Sequence, residues 1–392
     1  MPHTSTGTAK PTETDDTLDS IRAAVRGFVQ KECDEWRCLV WDRERVYPKP
    51  IFDRIAQLGW YGIGIPEQDG GSGGSQSDLL VVAEELGRGS TDLVACFSLT
   101  ASGLRTIIRN GSAEQKSQLV PALMNGSRRL SIAVTEPESG SDAAALLANA
   151  TRDGENYVVN GQKTFCEAAG LPDTLIQLYV RTDPMAKKKQ HGISMLLLDP
   201  TAAGVTLRRL PMMGRNITGV YEVFLDDVKV PVADRVGVEN EGWRELGAEL
   251  PLERLIISAG FVGATMQVLD DTLRYVKERE QFGRPIGTFQ SVAHLLVDLF
   301  TRAESTRLLV RHGGELADAN VPFVKEASMA KTASSELYAD AARYCMQLHG
   351  SYGYIEEHPL SMHYTDSVIA TVAGGSSQVQ RNIVAAQLGL RV

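Results

Sequence analysis

A carboxylate in an otherwise apolar segment is the residue of this chain with the clearest potential for proton transfer. Glu253 lies in Leu250-Pro-Leu-Glu-Arg-Leu-Ile-Ile-Ser-Ala-Gly260, near the start of a predicted apolar helix. A carboxyl group there is expected to be paired or functional, because burying an unpaired charge is costly. When burial raises its pKa, such a group can act as a general base. The alternative is a first-turn Glu after Pro251, stabilised by the helix dipole or a basic neighbour, and the residues alone favour it.

Other residue types that carry chemistry form weaker patterns. The five cysteines are scattered and odd in number, and none has the spacing of a zinc site. We therefore predict free thiols and no metal. The Gly-rich run Pro66-Glu-Gln-Asp-Gly-Gly-Ser-Gly-Gly-Ser75 lacks the Lys-Ser/Thr pair of a phosphate-binding P-loop, so it is predicted to be a flexible loop.

The composition is that of an ordinary globular enzyme. The chain has 392 residues, 43% of them hydrophobic and 23% charged, with a net charge of -9. This charge argues against nucleic acid as the main partner, although a local basic patch could still bind a phosphorylated substrate. Residues 1–16 are polar and are predicted to be a disordered tail without a signal or transit peptide. No uninterrupted run of 18 or more apolar residues is present, so no membrane span is expected, and a cytoplasmic location is expected.

The hydrophobic periodicity changes twice along the chain. Residues 17–130 show mostly helical spacing, with one helix predicted at Ser77–Leu86 and capped by Ser77. Residues 131–240 contain short apolar or alternating runs that are typical of strands. Residues 241–392 are helical again. The predicted strands include 157–160, 174–180, 193–198, 205–210 and 221–225, and the predicted C-terminal helices are 252–280, 290–316 and 322–348.

Two C-terminal segments resemble a known family. They are Gln347-Leu-His-Gly-Ser-Tyr-Gly-Tyr354 and Ala373-Gly-Gly-Ser-Ser-Gln-Val-Gln-Arg-Asn382. Together they resemble the C-terminal signature of the acyl-CoA dehydrogenases, flavoenzymes that desaturate acyl thioesters. Further matching blocks are 133–142, 161–165 and 278–290, in the family's order. The resemblance implies an α+β fold with an N-terminal helical domain, a middle β-domain and a C-terminal four-helix bundle.

The resemblance also implies an FAD site. Thr135 would meet the pyrimidine edge of the flavin, Ser141 its diphosphate and the substrate, and Phe165 one face of the ring. Hydrogen bonds of this kind tune a flavin by stabilising charge on the reduced ring. The segment 278–290 would reach the FAD of a neighbouring subunit, with Arg279 suited to phosphate oxygens. The remaining residues implied to bind FAD are Gln281, Phe282, Gln290, Gln347, Gly350, Ser376 and Gln378.

The chain departs from the family at two positions. Most members carry the catalytic Glu in the last motif, where this chain has Gly374. In the strand that covers the flavin, Glu167 stands where Thr usually donates a hydrogen bond. An ionised carboxylate cannot donate, so Glu167 would be protonated, point away or have a new role.

A relocated base explains the first departure. The isovaleryl-CoA dehydrogenase branch lacks the C-terminal Glu and takes its base from a Leu-Glu-Arg-Leu sequence, which Leu252-Glu253-Arg254-Leu255 matches. This resemblance makes Glu253 the expected base, with Glu167 a weaker candidate and Glu356-Glu357 an exposed turn. Arg254 and Ser141 would contact the substrate. Ala373 and Gly374 would leave room for a short, branched or cyclic acyl group.

The expected reaction is therefore α,β-dehydrogenation of an acyl-CoA or acyl-carrier-protein thioester. Glu253 would remove the α-proton, and the β-hydrogen would pass as hydride to flavin N5. The family implies an electron-transfer flavoprotein as acceptor and a homotetramer, or dimer of dimers. Two alternatives rank lower: a flavin-dependent monooxygenase or N-hydroxylase on the same fold, and a non-catalytic binding member.

Overall fold

The computed structural model describes residues 13–390, and its N-terminal part is helical. The helices pack around buried apolar side chains such as Phe52, Leu86 and Phe97. Ion pairs of Arg22 and Arg307 with Glu84 connect the first, fourth and eighth helices. The bounds are α1 Glu13–Glu32, α2 Glu35–Glu44, α3 Lys49–Gln57, α4 Gln76–Gly87, α5 Thr91–Asn110 and α6 Ala113–Met124.

A mixed β-sheet forms the middle of the chain. Its strands are β1 Arg129–Ala133, β2 Asn149–Asp153, β3 Asn156–Glu167, β4 Thr174–Arg181, β5 Ile193–Leu198, β6 Val205–Arg209, β7 Val220–Pro231 and β8 Arg235–Val236. The order is β6-β7-β3-β2-β4-β5-β8, and β1 pairs in parallel with β4. Between β3 and β7 the register shifts from Lys163 to Cys166, where Phe165 has a φ of 55°. Such a bulge re-aims a side chain, and here it turns Phe165 outward.

The C-terminal part is a helical bundle. It contains α7 Gly242–Glu278, β9 Glu280–Gln281, β10 Arg284–Pro285, α8 Gln290–Asp318, α9 Val324–His349, α10 Leu360–Ala370 and α11 Ser377–Gln387. Helix α9 packs against α7, α8, α10 and α11. Helix α7 is long and apolar enough to cross a membrane, yet 78% of its most apolar window is buried inside the protein. It is therefore a core helix by its packing.

Glycines fix the position of α7. At Gly260 an added Cβ would lie 2.7 Å from Val94 of α5, and at Gly263 it would overlap the carbonyl oxygen of Glu84 in α4. The helices therefore cross with their backbones in close contact. This contact fixes the rotation of α7 about its axis. It therefore determines which side of α7 faces α5 and which side faces the loop between α10 and α11.

The order of helices, sheet and helices confirms the predicted α+β fold class, while two local expectations differ. Helix α4 is capped by Ser75, which forms a reciprocal capping box with Asp78, rather than by Ser77. Helix α1 begins at Glu13, inside the predicted tail, and residues 1–12 lie outside the described chain. The domain boundaries at 130/131 and 240/241 stay predictions; β1 begins at Arg129 and α7 at Gly242.

Candidate functional site

A cavity of about 340 Å³ lies where the sheet meets the C-terminal helices. Its wall brings together seven of the residues singled out from the sequence. They come from the loop after β1, the end of β3 and the loop between α10 and α11. These residues are Thr135, Ser141, Phe165, Glu167, Ala373, Gly374 and Ser376.

The loop between α10 and α11 has a backbone conformation at position 374 that favours glycine. Gly374 has a φ of 67°, and a Cβ there would lie 2.9 Å from Cδ1 of Ile257. Lys331 donates hydrogen bonds to the carbonyl oxygens of Ala370 (2.9 Å) and Gly375 (2.8 Å), which hold the loop in place. Glycine is the residue that adopts this backbone without strain.

Glu253 approaches this loop from α7. It is one helical turn before Ile257, so the two side chains lie on the same side of the helix. Its side chain is half-buried and is not among the residues that line the cavity. Burial raises the pKa of Glu253, the neighbouring Arg254 opposes this shift, and Glu249 reinforces it. Among the described residues, the Glu253 carboxylate has no hydrogen-bond or ion-pair partner. A poised carboxylate of this kind is suited to proton transfer.

Arg254 is buried beside Glu253. It is 8% exposed, and its Nε has no hydrogen-bond partner among the described residues. Burial and the charge of Arg254 lower the pKa of Lys331 to about 8. Two cationic side chains therefore lie close to the Gly374 loop. They would stabilise negative charge that develops on a ligand there.

The loop after β1 is held by a residue that sequence reasoning missed. Glu136 accepts hydrogen bonds from the backbone N–H of Leu147 (2.6 Å) and Ala148 (2.9 Å). It also pairs with the buried Lys163 at 2.7 Å. This pair ties the segment that carries Thr135 to strand β3. The sequence signal for this role was the first acidic residue of the Thr-Glu-Pro-Glu turn, Glu136, which directly follows Thr135.

Glu167 belongs to a buried polar cluster at the cavity wall. Its Oε1 lies 3.2 Å from Thr218 Oγ1 and 3.4 Å from Arg215 Nη1. Thr218 Oγ1 is closer, at 2.5 Å, to Oδ1 of Asp92. Because a hydroxyl has one hydrogen, Thr218 donates it to Asp92, and a protonated Glu167 can then donate to Thr218.

The ionisation of Glu167 follows from the same neighbours. Burial raises its pKa to about 7, while Arg215 opposes the shift and Asp92 reinforces it. Arg215 is itself buried, has a φ of 61°, and has an Nε without a partner among the described residues. Glu167 thus titrates near neutral pH at the cavity wall. Neither Asp92 nor Arg215 was identified from the sequence.

The other predicted FAD residues do not line this cavity. Strands β9 and β10 form a hairpin whose turn, Phe282-Gly283, has positive φ at both residues, as in a type I′ turn. Phe282 is 94% exposed at its tip. Gln347 and Gly350 line a separate surface depression of about 580 Å³ with Tyr354. Arg279, Gln281, Gln290 and Gln378 are exposed.

The cavity has the features that a flavin requires. Hydroxyl groups of Thr135, Ser141 and Ser376 can bond its polar edges, and the 59% exposed Phe165 offers a flat ring for stacking. The unpartnered Arg215 Nε adds a buried donor. These residues fit FAD, which would bring hydride-transfer chemistry to this site.

Comparisons with known proteins agree with this geometry. Residues 15–127, 131–228 and 240–389 match the models of the acyl-CoA dehydrogenase N-terminal, middle and C-terminal domains, respectively. The chain is 33% identical over 371 residues to the caffeyl-CoA reductase-Etf complex subunit CarC of Acetobacterium woodii, covering 94% of this chain and 97% of the relative.

Solved structures are similar over the whole fold. The glutaryl-coenzyme A dehydrogenase glutaryl-CoA complex has a TM-score of 0.92, 31% identity and 98% coverage of both chains. The prolyl acyl carrier protein oxidase AnaB has a TM-score of 0.90 and 27% identity, covering 95% of this chain and 99% of its own. Together with the three matched domain models and the relative, these structural similarities show that the chain belongs to the acyl-CoA dehydrogenase family, flavin oxidoreductases that act on CH–CH bonds.

Proposed function

We propose that this protein is an FAD-dependent dehydrogenase of acyl thioesters that uses Glu253 as its base. One observation carries the proposal. The loop position where most family members have their base is a glycine with a φ of 67°, and Ile257, which a Cβ at that position would approach to 2.9 Å, is one turn from Glu253. This proximity supports a base on α7 in place of one on the loop, which is the arrangement that the resemblance to the isovaleryl-CoA dehydrogenase-like branch implies.

Each residue of the proposed site has a separate role in the reaction. The Glu253 carboxylate takes the proton from the substrate α-carbon, and loss of hydride from the β-carbon leaves an α,β-unsaturated thioester. FAD, when bound, supplies the hydride acceptor. Arg254 and Ser141 contact the thioester, and the small residues Ala373 and Gly374 leave space for a branched or cyclic acyl group.

The proposal also includes the acyl carrier, the electron acceptor and the oligomeric state. The carrier is coenzyme A or an acyl carrier protein, and the electron acceptor is an electron-transfer flavoprotein in the cytoplasm. The names of the Etf-complex relative and of the acyl-carrier-protein oxidase support these two partner classes. In a homotetramer, a second copy would bring the exposed hairpin with Arg279 and Phe282 to the FAD.

A Glu253→Gln variant tests the base directly. The amide keeps the shape of the side chain but cannot accept the α-proton, so we expect anaerobic flavin reduction by acyl-CoA thioesters to slow about 100-fold or more. Stopped-flow absorbance measures the rate. Glu245→Gln is the matched control, because Glu245 is a buried carboxyl on the same helix, two turns earlier. Flavin reduction at the parent rate in Glu253→Gln would exclude Glu253 as the base.

The same site would also support reduction of unsaturated thioesters. The raised pKa of Glu253 favours its protonated form, which can return a proton to the α-carbon. Relatives named acryloyl-CoA reductase and 3-(aryl)acrylate reductase support this direction. Mixing the reduced enzyme with enoyl-CoA and measuring flavin oxidation without oxygen tests it. Oxygen-dependent formation of a hydroxylated product would instead favour the monooxygenase alternative.

A further inference from the structure

Three carboxyl groups and one guanidinium group form a polar cluster at the cavity that Gly374 lines. The members of this carboxyl cluster are Glu167 of β3, Asp92 of α5, Asp366 of α10 and Arg215 of the loop between β6 and β7. Oε1 of Glu167 lies 3.4 Å from Nη1 of Arg215, whose backbone N–H donates to Oδ1 of Asp366 at 3.1 Å. Because the carboxyl groups outnumber the cation, the cluster is neutral only when some of them hold protons.

Asp92 is bonded as an anion. It accepts hydrogen bonds from the backbone N–H groups of Ile217 (2.8 Å) and Thr218 (3.2 Å) and from Oγ1 of Thr218 (2.5 Å). Three converging donors suit an ionised carboxylate, which is acceptor-only. The guanidinium group therefore already faces one anion, and the two other carboxyl groups have no cation of their own in the cluster.

Glu167 and Asp366 both exchange protons near neutral pH. Burial raises the pKa of Glu167 to about 7, Arg215 opposes this shift, and Asp92 reinforces it. Burial likewise raises the pKa of Asp366 to about 7, against the charge of Arg215. The cluster can therefore bind or release a proton in response to a modest change of charge beside it.

The cavity lining decides which of these groups meets a ligand. Glu167 is the carboxyl group that lines the cavity among the described residues, and its side chain is 23% exposed. Asp366 is 1% exposed and does not line the cavity. The neighbouring thiol of Cys96 is neutral, because burial raises its pKa, and Asp42 of α2 acts on Asp366. A charge on a cavity ligand is therefore met first by Glu167.

Reduction of a flavin in this cavity changes the charge that Glu167 faces. A hydride consists of two electrons and one proton, so a bound flavin that accepts it gains one negative charge. A nearby negative charge favours the neutral form of a carboxyl group. By linkage, protonation of that group favours reduction to the same extent.

Resting on the dehydrogenase function proposed above, we propose that Glu167 takes up a proton from solvent when a flavin in the cavity is reduced, and releases it on reoxidation. The hydride comes from the substrate β-carbon, the α-proton passes to Glu253, and the proton on Glu167 comes from water. The negative charge gained by the flavin is thereby balanced inside the protein. Glu167 sets the reduction potential of the flavin and does not contact the substrate.

The pH dependence of the flavin midpoint potential tests the proposal. Spectroelectrochemistry of the FAD-loaded protein measures it without substrate. For a two-electron couple, each proton taken up changes the potential by about 30 mV per pH unit. Below pH 7 the oxidised protein already holds the Glu167 proton, so we expect a slope of about 30 mV there and, over at least one pH unit above pH 7, about 60 mV. A slope of about 30 mV throughout, between about pH 6 and pH 9, would overturn the proposal.

Two variants assign the second proton. Glu167→Gln cannot titrate, so its slope should stay at about 30 mV at every pH. Asp271→Asn is the matched control, because burial and Glu35 raise the pKa of Asp271 to about 7 and its side chain is 18% exposed, yet it does not line the cavity. This variant should steepen above pH 7 as the parent does.

The outcome for position 167 is decisive in either direction. If Glu167→Gln does not retain FAD, Glu167→Thr replaces it, since threonine is the residue that the family usually has there and also does not titrate. A steepening that persists in the variant that binds FAD would show that Glu167 is not the proton acceptor. Loss of the steepening in Asp366→Asn alone would assign the proton to Asp366 and overturn the proposal.

The same protein separates this proposal from the dehydrogenase function. A slope that steepens above pH 7 in a protein whose flavin no acyl-CoA thioester reduces would reject the dehydrogenase function and leave the proton uptake in place. Flavin reduction by a thioester with a slope of about 30 mV throughout would reject the proton uptake alone. A protein that binds no FAD would reject both.

Discussion

At the scale of single residues, two carboxyl groups beside the cavity differ in how their charge is controlled. Glu253 has a raised pKa because of burial and has no bonded partner among the described residues, so its proton is available for exchange with a ligand. Glu167 also has a raised pKa, but Thr218 and Arg215 hold its carboxyl group within a hydrogen-bonded cluster. The first environment is suited to catalysis, and the second to a neutral hydrogen-bonding group.

The protonation of Glu167 leads to a prediction about stability and pH. The folded-state pKa of about 7 is above the ordinary value of 4.5, so the folded state binds more protons between these values. This contribution to stability is complete below about pH 4.5 and disappears as the pH rises towards 7. Glu167→Gln removes it, so we expect the variant to gain stability relative to the parent between pH 5 and pH 8, by up to about 3 kcal/mol.

Urea denaturation of both proteins at several pH values measures this difference. Glu356→Gln is the control, because that side chain is 89% exposed and should show no such trend. A difference between Glu167→Gln and the parent that stays constant with pH would mean that Glu167 does not take up a proton on folding.

At the scale of elements, the placement of Glu253 depends on how closely α7 approaches its neighbours. A Cβ at Gly263 would overlap the Glu84 carbonyl oxygen of α4, whereas one at Gly247, on the same helix, would meet no atom within 4 Å. The glycines of α7 therefore have different structural roles within one helix. Those at the crossing permit contact between the backbones.

This difference predicts opposite effects of the same substitution. Gly263→Ala should destabilise the protein by about 2 kcal/mol or more, because the helices must separate. Gly247→Ala should stabilise it by up to about 1 kcal/mol, since alanine is the better helix former. Thermal or urea unfolding measures both. Equal stability of the two variants would show that the α4–α7 crossing can relax without cost.

At the scale of the whole molecule, the predicted FAD residues occupy separate surfaces of one chain. The cavity holds Thr135, Phe165 and Ser376, whereas the hairpin carries Phe282 on an exposed tip. Arg284 lies over the ring of Phe289 at 4.1 Å and stabilises the base of the hairpin. An apolar ring displayed in this way is typical of a surface that binds another molecule.

We expect the hairpin to contribute to assembly and cofactor retention. Phe282→Asp should lower the flavin-to-protein ratio several-fold and shift the protein to smaller oligomers, because a charge would be buried at the contact between copies. Light scattering and flavin absorbance measure these effects. Met185→Asp, at an 86% exposed methionine in a loop, is the control. A Phe282→Asp protein with full flavin content and the oligomeric state of the parent would contradict this role.

The sequence by itself determined the element types, the family and the proposed base. Local periodicity located the strand at 174–180, close to the observed Thr174–Arg181, and the Leu-Glu-Arg-Leu match identified Glu253. These features were readable because periodicity and short motifs are local. The tertiary structure decided which residues that are distant in the sequence come close together. Arg215, Glu167 and Asp92 form one cluster, and Arg105 lies near Glu249. Such contacts depend on how helices and sheet pack, which the spacing within one segment does not encode.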